Sequence, residues 1–127
     1  MIRILIVSAG RLSLTDLKEG LEENNVRISW AESCDSVFAM IQHNEFDLII
    51  TDENLFDSNG LDCIKKLVSL NPMLNCASIS SLSARDFHEM SEGLGILMQL
   101  PEKPGKKDAV KLLDHLNTIL NLTQKAN

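Results

Sequence analysis

Three side chains in this 127-residue sequence suit one reaction and stand at matching places in the hydropathy pattern. Asp52 follows the apolar run FDLIIT, Ser83 closes the run CASISSLS, and Lys103 comes just after ILMQL. A carboxylate can accept a phosphoryl group as an acyl phosphate. A hydroxyl and an ammonium group can then hold the new phosphate oxygens. Each residue also has a plainer role open to it. Asp52 could cap the next turn or pair with Lys103, Ser83 could be a helix N-cap, and Lys103 could be ordinary solvated surface. The prolines at 101 and 104 favour a fixed turn around Lys103. Whether the three can act together depends on the elements that position them.

Those elements alternate along the chain. IRILIVS is a short, β-branched apolar run, and Leu14, Leu17 and Leu21 then recur at helical spacing, with Ser13 or a neighbour as the cap. VRISWA alternates apolar and polar residues, as expected near a sheet edge. Val37, Phe38 and Ile41 form the next stripe, with Ser33 as its N-cap. FDLIIT is a strand, followed by a helix on Leu61, Ile64, Leu67 and Val68 that ends before Pro72. CASISSLS is the weakest strand because serine dilutes it. A short helix packing through Phe87 and Met90 closes near Gly93. ILMQL is the fifth strand, and Leu112, Leu113, Leu116, Ile119 and Leu120 face inward from the final helix. This (βα)5 pattern predicts an α/β domain with a doubly wound, five-stranded parallel sheet and right-handed crossovers. In such a sheet, ligands bind beyond the carboxyl ends of the strands. Asp52, Ser83 and Lys103 all belong to that rim.

The segment FDLIITDENLFDSNGL resembles the phosphoacceptor segment of response-regulator receiver domains, with Gly60 and Leu61 eight and nine residues after the aspartate. LSA, Leu82 to Ala84, resembles the family's Leu-Thr/Ser-Ala stretch, and EKP, Glu102 to Pro104, resembles its Lys-Pro turn. The resemblance runs from Ile2 to about Leu122. It implies a flavodoxin-like fold with strand order 2-1-3-4-5. It also implies the family's phosphorylation-site roles: Asp52 as acceptor, Ser83 as the phosphate-sensing hydroxyl and Lys103 as the phosphate-binding cation. A two-component phosphorelay, and no enzyme of metabolism, is the implied setting.

Departures from the family are equally informative. Receivers usually end their first strand with two adjacent acids that bind Mg²⁺, and here those positions are Ser8 and Ala9. Mg²⁺ is held mainly by carboxylates plus substrate phosphate, and phosphoryl transfer relies on it to neutralise developing charge. Weak or absent Mg²⁺ binding is therefore expected, with slow or absent autophosphorylation and no other cofactor. Leu100 replaces the family's usual switching aromatic, Phe56 its frequent proline, and Pro101 stiffens the approach to Lys103. With the acid pair gone, a standing Asp52–Lys103 ion pair is expected. The first reading is a degenerate receiver acting by protein–protein contact. The alternative is a functional phospho-receiver using Asp52. A third reading takes SAGRLSLT, Ser8 to Thr15, as a flavin-phosphate loop, but its hydroxyl spacing differs and aromatics are only 4% of the chain.

Composition limits the partners. Hydrophobic residues make up 44% and charged residues 24%, as in an ordinary globular domain. A net charge of −6 gives no long-range attraction to nucleic acid or an anionic membrane. No run is long enough to span a bilayer, and no leader pattern opens the chain, so a cytoplasmic protein is expected. Cys34, Cys63 and Cys76 are widely spaced and read as buried, reduced thiols, and His43, His88 and His115 are too scattered for a metal site. Residues 1–122 are read as one receiver-like domain and 123–127 as a tail. KPGKKDAVK, Lys103 to Lys111, is a basic cluster beside the final strand and helix. The resemblance makes that face the expected surface for a histidine kinase, a phosphotransfer protein, a downstream effector or a second copy of the chain.

Overall fold

Ile4, Leu5, Ile6 and Val7 have no exposed surface, so the strand that carries them must be covered on both faces. In the computed structural model, which describes residues 1–126, that strand is β1 (Ile2–Val7), an interior strand of a five-stranded sheet. A short 3₁₀ turn (Arg11–Leu14) leads into α1 (Thr15–Glu22), followed by β2 (Val26–Ala31), α2 (Cys34–Ile41), β3 (Leu48–Thr51) and α3 (Gly60–Leu70). The chain continues through β4 (Cys76–Ile79), α4 (Ala84–Ser91), β5 (Gln99–Leu100) and α5 (Lys106–Ala126). All pairings are parallel and the order is 2-1-3-4-5, as expected from the sequence. The side chains of residues 122–126 and all of Asn127 lie outside the described residues, and with them the tail expected over 123–127. Among the described residues, no helix is long and apolar enough to cross a membrane.

The sheet divides the core in two, because successive side chains of a strand point to opposite faces. Ile4, Ile6, Leu48 and Ile50 pack with Leu17 and Leu21 of α1 and Leu112 and Leu116 of α5. Leu5, Val7 and Ile49 pack with Val37 of α2 and Ile64 and Leu67 of α3. Each of these buried side chains contributes roughly 1.5–3 kcal/mol before entropy is counted. The edge position of β2 fits its partial exposure, and Arg11 stacks over its Trp30 ring at 4.9 Å.

Several local expectations change. The 3₁₀ turn occupies the place of a capped first turn of α1, and no side chain caps that helix. Ser33 and Ser83 do cap α2 and α4, accepting from the N–H groups of Ser36 and Asp86. Strand β5 shrinks from five expected residues to Gln99 and Leu100. Phe87 is buried but Met90 is 54% exposed, since so short a β5 offers little sheet for the rest of α4 to cover. The cysteines are not all reduced: Cys34 and Cys63 form a disulfide between α2 and α3, and only Cys76 is free. Wide spacing in sequence did not separate the first two in space, because their helices lie side by side on one face of the sheet.

Candidate functional site at the carboxyl end of the sheet

Parallel register brings the ends of β1 and β3 together. Val7 pairs with Thr51, so the residues one step beyond, Ser8 and Asp52, are neighbours. The backbone holds both: Ser8 N–H donates to the Ala31 carbonyl at 2.9 Å and Asp52 N–H to the Val7 carbonyl at 2.8 Å. The buried Ser8 hydroxyl donates to Asp52 Oδ2 at 2.7 Å and accepts from Gly10 N–H at 3.0 Å. Asp52 Oδ1 accepts from the Glu53 N–H at 2.8 Å. Both oxygens of the half-buried carboxylate are thus engaged by neutral donors.

The loop beyond Asp52 is tied on both sides. Toward α2, the Asp57 carboxylate accepts from the N–H groups of Cys34 at 2.8 Å and Asp35 at 3.1 Å. These backbone donors, with Cys34 foremost, hold the Asp57 carboxyl below its usual range. Toward β4, Glu53 accepts from the Ser81 N–H at 2.6 Å and from the Ser81 hydroxyl at 2.8 and 2.9 Å. The Ser81 N–H is the main cause lowering the Glu53 pKa, with help from the Ser81 and Ser80 side chains and some opposition from burial. At the far end, Asn59 caps α3 by accepting from the Asp62 N–H at 2.9 Å.

Gly60 lets this loop fold back against β3. A Cβ built there would collide with the Asp52 carbonyl oxygen and lie 2.7 Å from Thr51 Oγ1. The Gly-Leu pair at 60 and 61 therefore has a steric reason in this structure, since only glycine lets the start of α3 approach the end of β3 so closely.

The other two predicted site residues are engaged differently. Ser83 Oγ is exposed and serves as the N-cap of α4, 3.1 Å from the Asp86 N–H, and no hydrogen bond joins it to Asp52. Lys103 is exposed, with a left-handed φ of 49°. Among the described residues no ion pair includes Asp52 or Lys103, so the expected pair between them is not formed. The carboxylate already has its donors in Ser8 and Glu53, while the ammonium is free to stay in water. Leu100, where the family usually has an aromatic, is fully buried in the core beneath α5. Phe56 is 70% exposed at the tip of the loop.

The Ser8–Asp52 contact was open to sequence reasoning once the strand order was known, since both residues end adjacent strands. The Glu53–Ser81 clasp and the Asp57 cap of α2 carried no comparable signal. Around Asp52, the donors available to a cation are one carboxylate and the neutral oxygens of its neighbours. Among the described residues, no group of three His, Cys, Asp or Glu side chains is placed to hold a metal ion.

The family model "Response regulator receiver domain" matches residues 4–115. Similar solved structures include a two-component response regulator from Clostridium difficile, 20% identical with TM-score 0.81, the match covering 95% of this chain and 99% of that one. A CheY-like receiver domain protein from Methanospirillum hungatei is 22% identical with TM-score 0.79, covering 100% and 99%. The HemR receiver domain from Leptospira biflexa is 25% identical with TM-score 0.77, covering 91% and 94%. Among curated proteins no significant match is found.

Proposed function

The chain belongs to the response-regulator receiver-domain family of two-component signalling, and from that premise we propose that it is a degenerate receiver that signals by protein–protein contact with little or no Mg²⁺-dependent phosphorylation of Asp52. The observation that carries this reading is the 2.7 Å hydrogen bond from Ser8 to Asp52. A neutral hydroxyl stands where receivers usually bring a carboxylate, and Ala9 adds no side-chain oxygen beside it. A Mg²⁺ site built mainly from carboxylates is poorly matched by this donor set. Without that cation, little offsets the negative charge of an incoming phosphodonor at Asp52. Leu100 supports the second half of the reading, because a buried aliphatic side chain replaces the ring whose movement reports phosphorylation in the family.

On this reading Ser83 caps α4 and Lys103 belongs to the partner-facing surface rather than to a phosphate clamp. That surface, on β5 and α5, combines the exposed Val110 with exposed Lys103, Lys107 and Lys111, and it suits an acidic face of a kinase, phosphotransfer protein or effector. The domain would then be a non-enzymatic, cytoplasmic binding module.

Incubation of the full chain with acetyl phosphate and Mg²⁺, followed by intact mass, tests the proposal. No phosphoryl adduct is expected, whereas the Ser8→Asp/Ala9→Asp variant should gain one that Asp52→Ala then removes. An adduct on the unaltered chain that disappears in Asp52→Ala would establish the functional phospho-receiver instead.

A further inference from the structure

We propose that Cys34 and Cys63 are a reversible thiol–disulfide site that sets how firmly the Asp52 loop is held, giving the domain a redox input separate from its acidic rim. The two residues are bonded through their sulfurs, with Cα atoms 5.6 Å apart, well within the span a disulfide needs. Cys34 is the first residue of α2 and Cys63 lies near the start of α3. The loop that carries Asp52 is hydrogen-bonded to both helix starts. Its Asp57 carboxylate accepts from the N–H of Cys34 itself and from that of Asp35. Its Phe56 N–H donates to the Glu32 carbonyl at 3.3 Å, just before α2. Its last residue, Asn59, caps the helix that carries Cys63. Any change in the spacing of the two sulfurs therefore acts on the loop at Phe56 and Asp57 through α2 and at Asn59 through α3.

Both redox states suit the site. Cys34 is 2% exposed and Cys63 fully buried, in an apolar cluster with Leu5, Val7, Val37 and Ile64. Free cysteine behaves as a small apolar side chain, so two thiols can remain in this core after reduction. In a reducing compartment, disulfides are usually transient or redox-sensing rather than permanent. Cys76 is a poor competitor: it is buried in β4 and burial pushes its thiol up to about 12. The co-reactant is a dithiol reductant. One of its thiolates attacks Sγ of Cys34, the residue that keeps 2% exposure against none for Cys63, and Cys63 leaves as a thiolate and takes up a proton. The second thiolate then attacks the reductant's sulfur in the mixed disulfide, releasing Cys34, which is protonated in turn. Two electrons and two protons pass to the protein pair, and the dithiol becomes a disulfide. Re-oxidation by a small disulfide reverses the exchange.

The proposal stands whether or not Asp52 is phosphorylated, and it is tested on the unaltered full chain. The folded protein is equilibrated in glutathione buffers of varied ratio, then quenched, unfolded, alkylated and weighed. Oxidised protein should carry one alkyl group, on Cys76, and reduced protein three, with a single transition between them. Amide NMR spectra of the two end states should differ at Asp52, Asp57 and Ser8 as well as at the cysteines. The Cys34→Ser/Cys63→Ser variant should show the reduced pattern at Asp57 in every buffer. Three alkyl groups at every ratio would overturn the proposal, because the bond would never form. So would one alkyl group even in excess dithiothreitol, which would make the bond a permanent brace. Amide changes confined to the cysteines and their chain neighbours, or a redox response that survives in the double variant, would overturn it equally.

Discussion

The loop after β3 is held by two carboxylates that sit side by side in sequence and meet different surroundings. Asp52 faces β1, where a fully buried serine hydroxyl and one backbone N–H engage it. Glu53 faces β4, where the N–H and hydroxyl of the exposed Ser81 grip it from the solvent side. The chemistry of the two contacts is almost the same, a serine hydroxyl and a backbone N–H for each acid. Their exposure differs, and so does what can replace the contact if it is lost. Water can take over from Ser81 at the Glu53 side. At the Ser8 side the hydroxyl is fully buried, so its loss leaves Asp52 Oδ2 without so ready a replacement. A rim with Ser8 and Ala9 at the end of β1 thus still satisfies Asp52, using neutral donors instead of a cation.

The largest effect should come from the root shared by both flanks. Gly60→Ala forces a Cβ against the Asp52 carbonyl and Thr51 Oγ1, and overpacking of this kind typically costs about 1–3 kcal/mol. We expect a loss near 3 kcal/mol in urea unfolding, because the neighbouring atoms are backbone and a buried β3 side chain that cannot swing aside. Amide shifts at both Asp52 and Glu53 should accompany it. A change at only one flank, or no loss of stability, would show that α3 can slide away from β3. Ser8→Ala comes next. Hydrogen bonds to charged groups are worth about 1.5–3 kcal/mol, and the half-buried Asp52 can recover part of that from solvent, so a loss of about 1–2 kcal/mol is expected. Ser81→Ala should cost less than Ser8→Ala in the same assay. The reverse order would place the main anchor of the loop at β4.

What the sequence disclosed follows from the range of the forces involved. The uncharged runs ILIV and LII marked strands covered on both faces, and parallel order then placed Asp52 and the SAG turn at one rim. Ser33 and Ser83 could be recognised as caps because capping acts within three residues. Elements that depend on lateral fit were less legible. The Cys34–Cys63 bond needs α2 and α3 to present matching positions, which no spacing within either helix discloses. The Asp52–Lys103 pair was expected from the shared rim and the missing acid pair, yet Asp52 is engaged by Ser8 and Glu53, and Lys103 stands in a left-handed turn exposed to solvent. The clasp of Glu53 by Ser81 links residues 28 positions apart through a side chain that could equally have pointed to water.

The smallest expected effect is also the one that separates the two flanks by pH. The Ser81 donors hold the Glu53 carboxyl below its ordinary value of 4.5 in the folded protein. A lowered folded-state value means that the unfolded chain binds the proton first. The contribution to stability is therefore fully present above 4.5 and is lost as pH falls through the folded value. Glu53 is only half-buried and its partner Ser81 is exposed, so solvent screens the contact and limits it to about 0.2–1 kcal/mol. Glu53→Gln should accordingly be less stable than the unaltered chain at pH 7 by that small amount. The difference should shrink steadily as the pH is lowered from about 4.5. Asp57 is also held low by its cap contacts, so both proteins should still share an acid-sensitive component when Glu53 is gone. Urea unfolding midpoints of the two proteins across the acid range measure this directly. A difference that persists unchanged at low pH would mean that the carboxamide fails for a reason other than charge, and the contrast between a charge-dependent β4 flank and a buried β1 flank would fall with it.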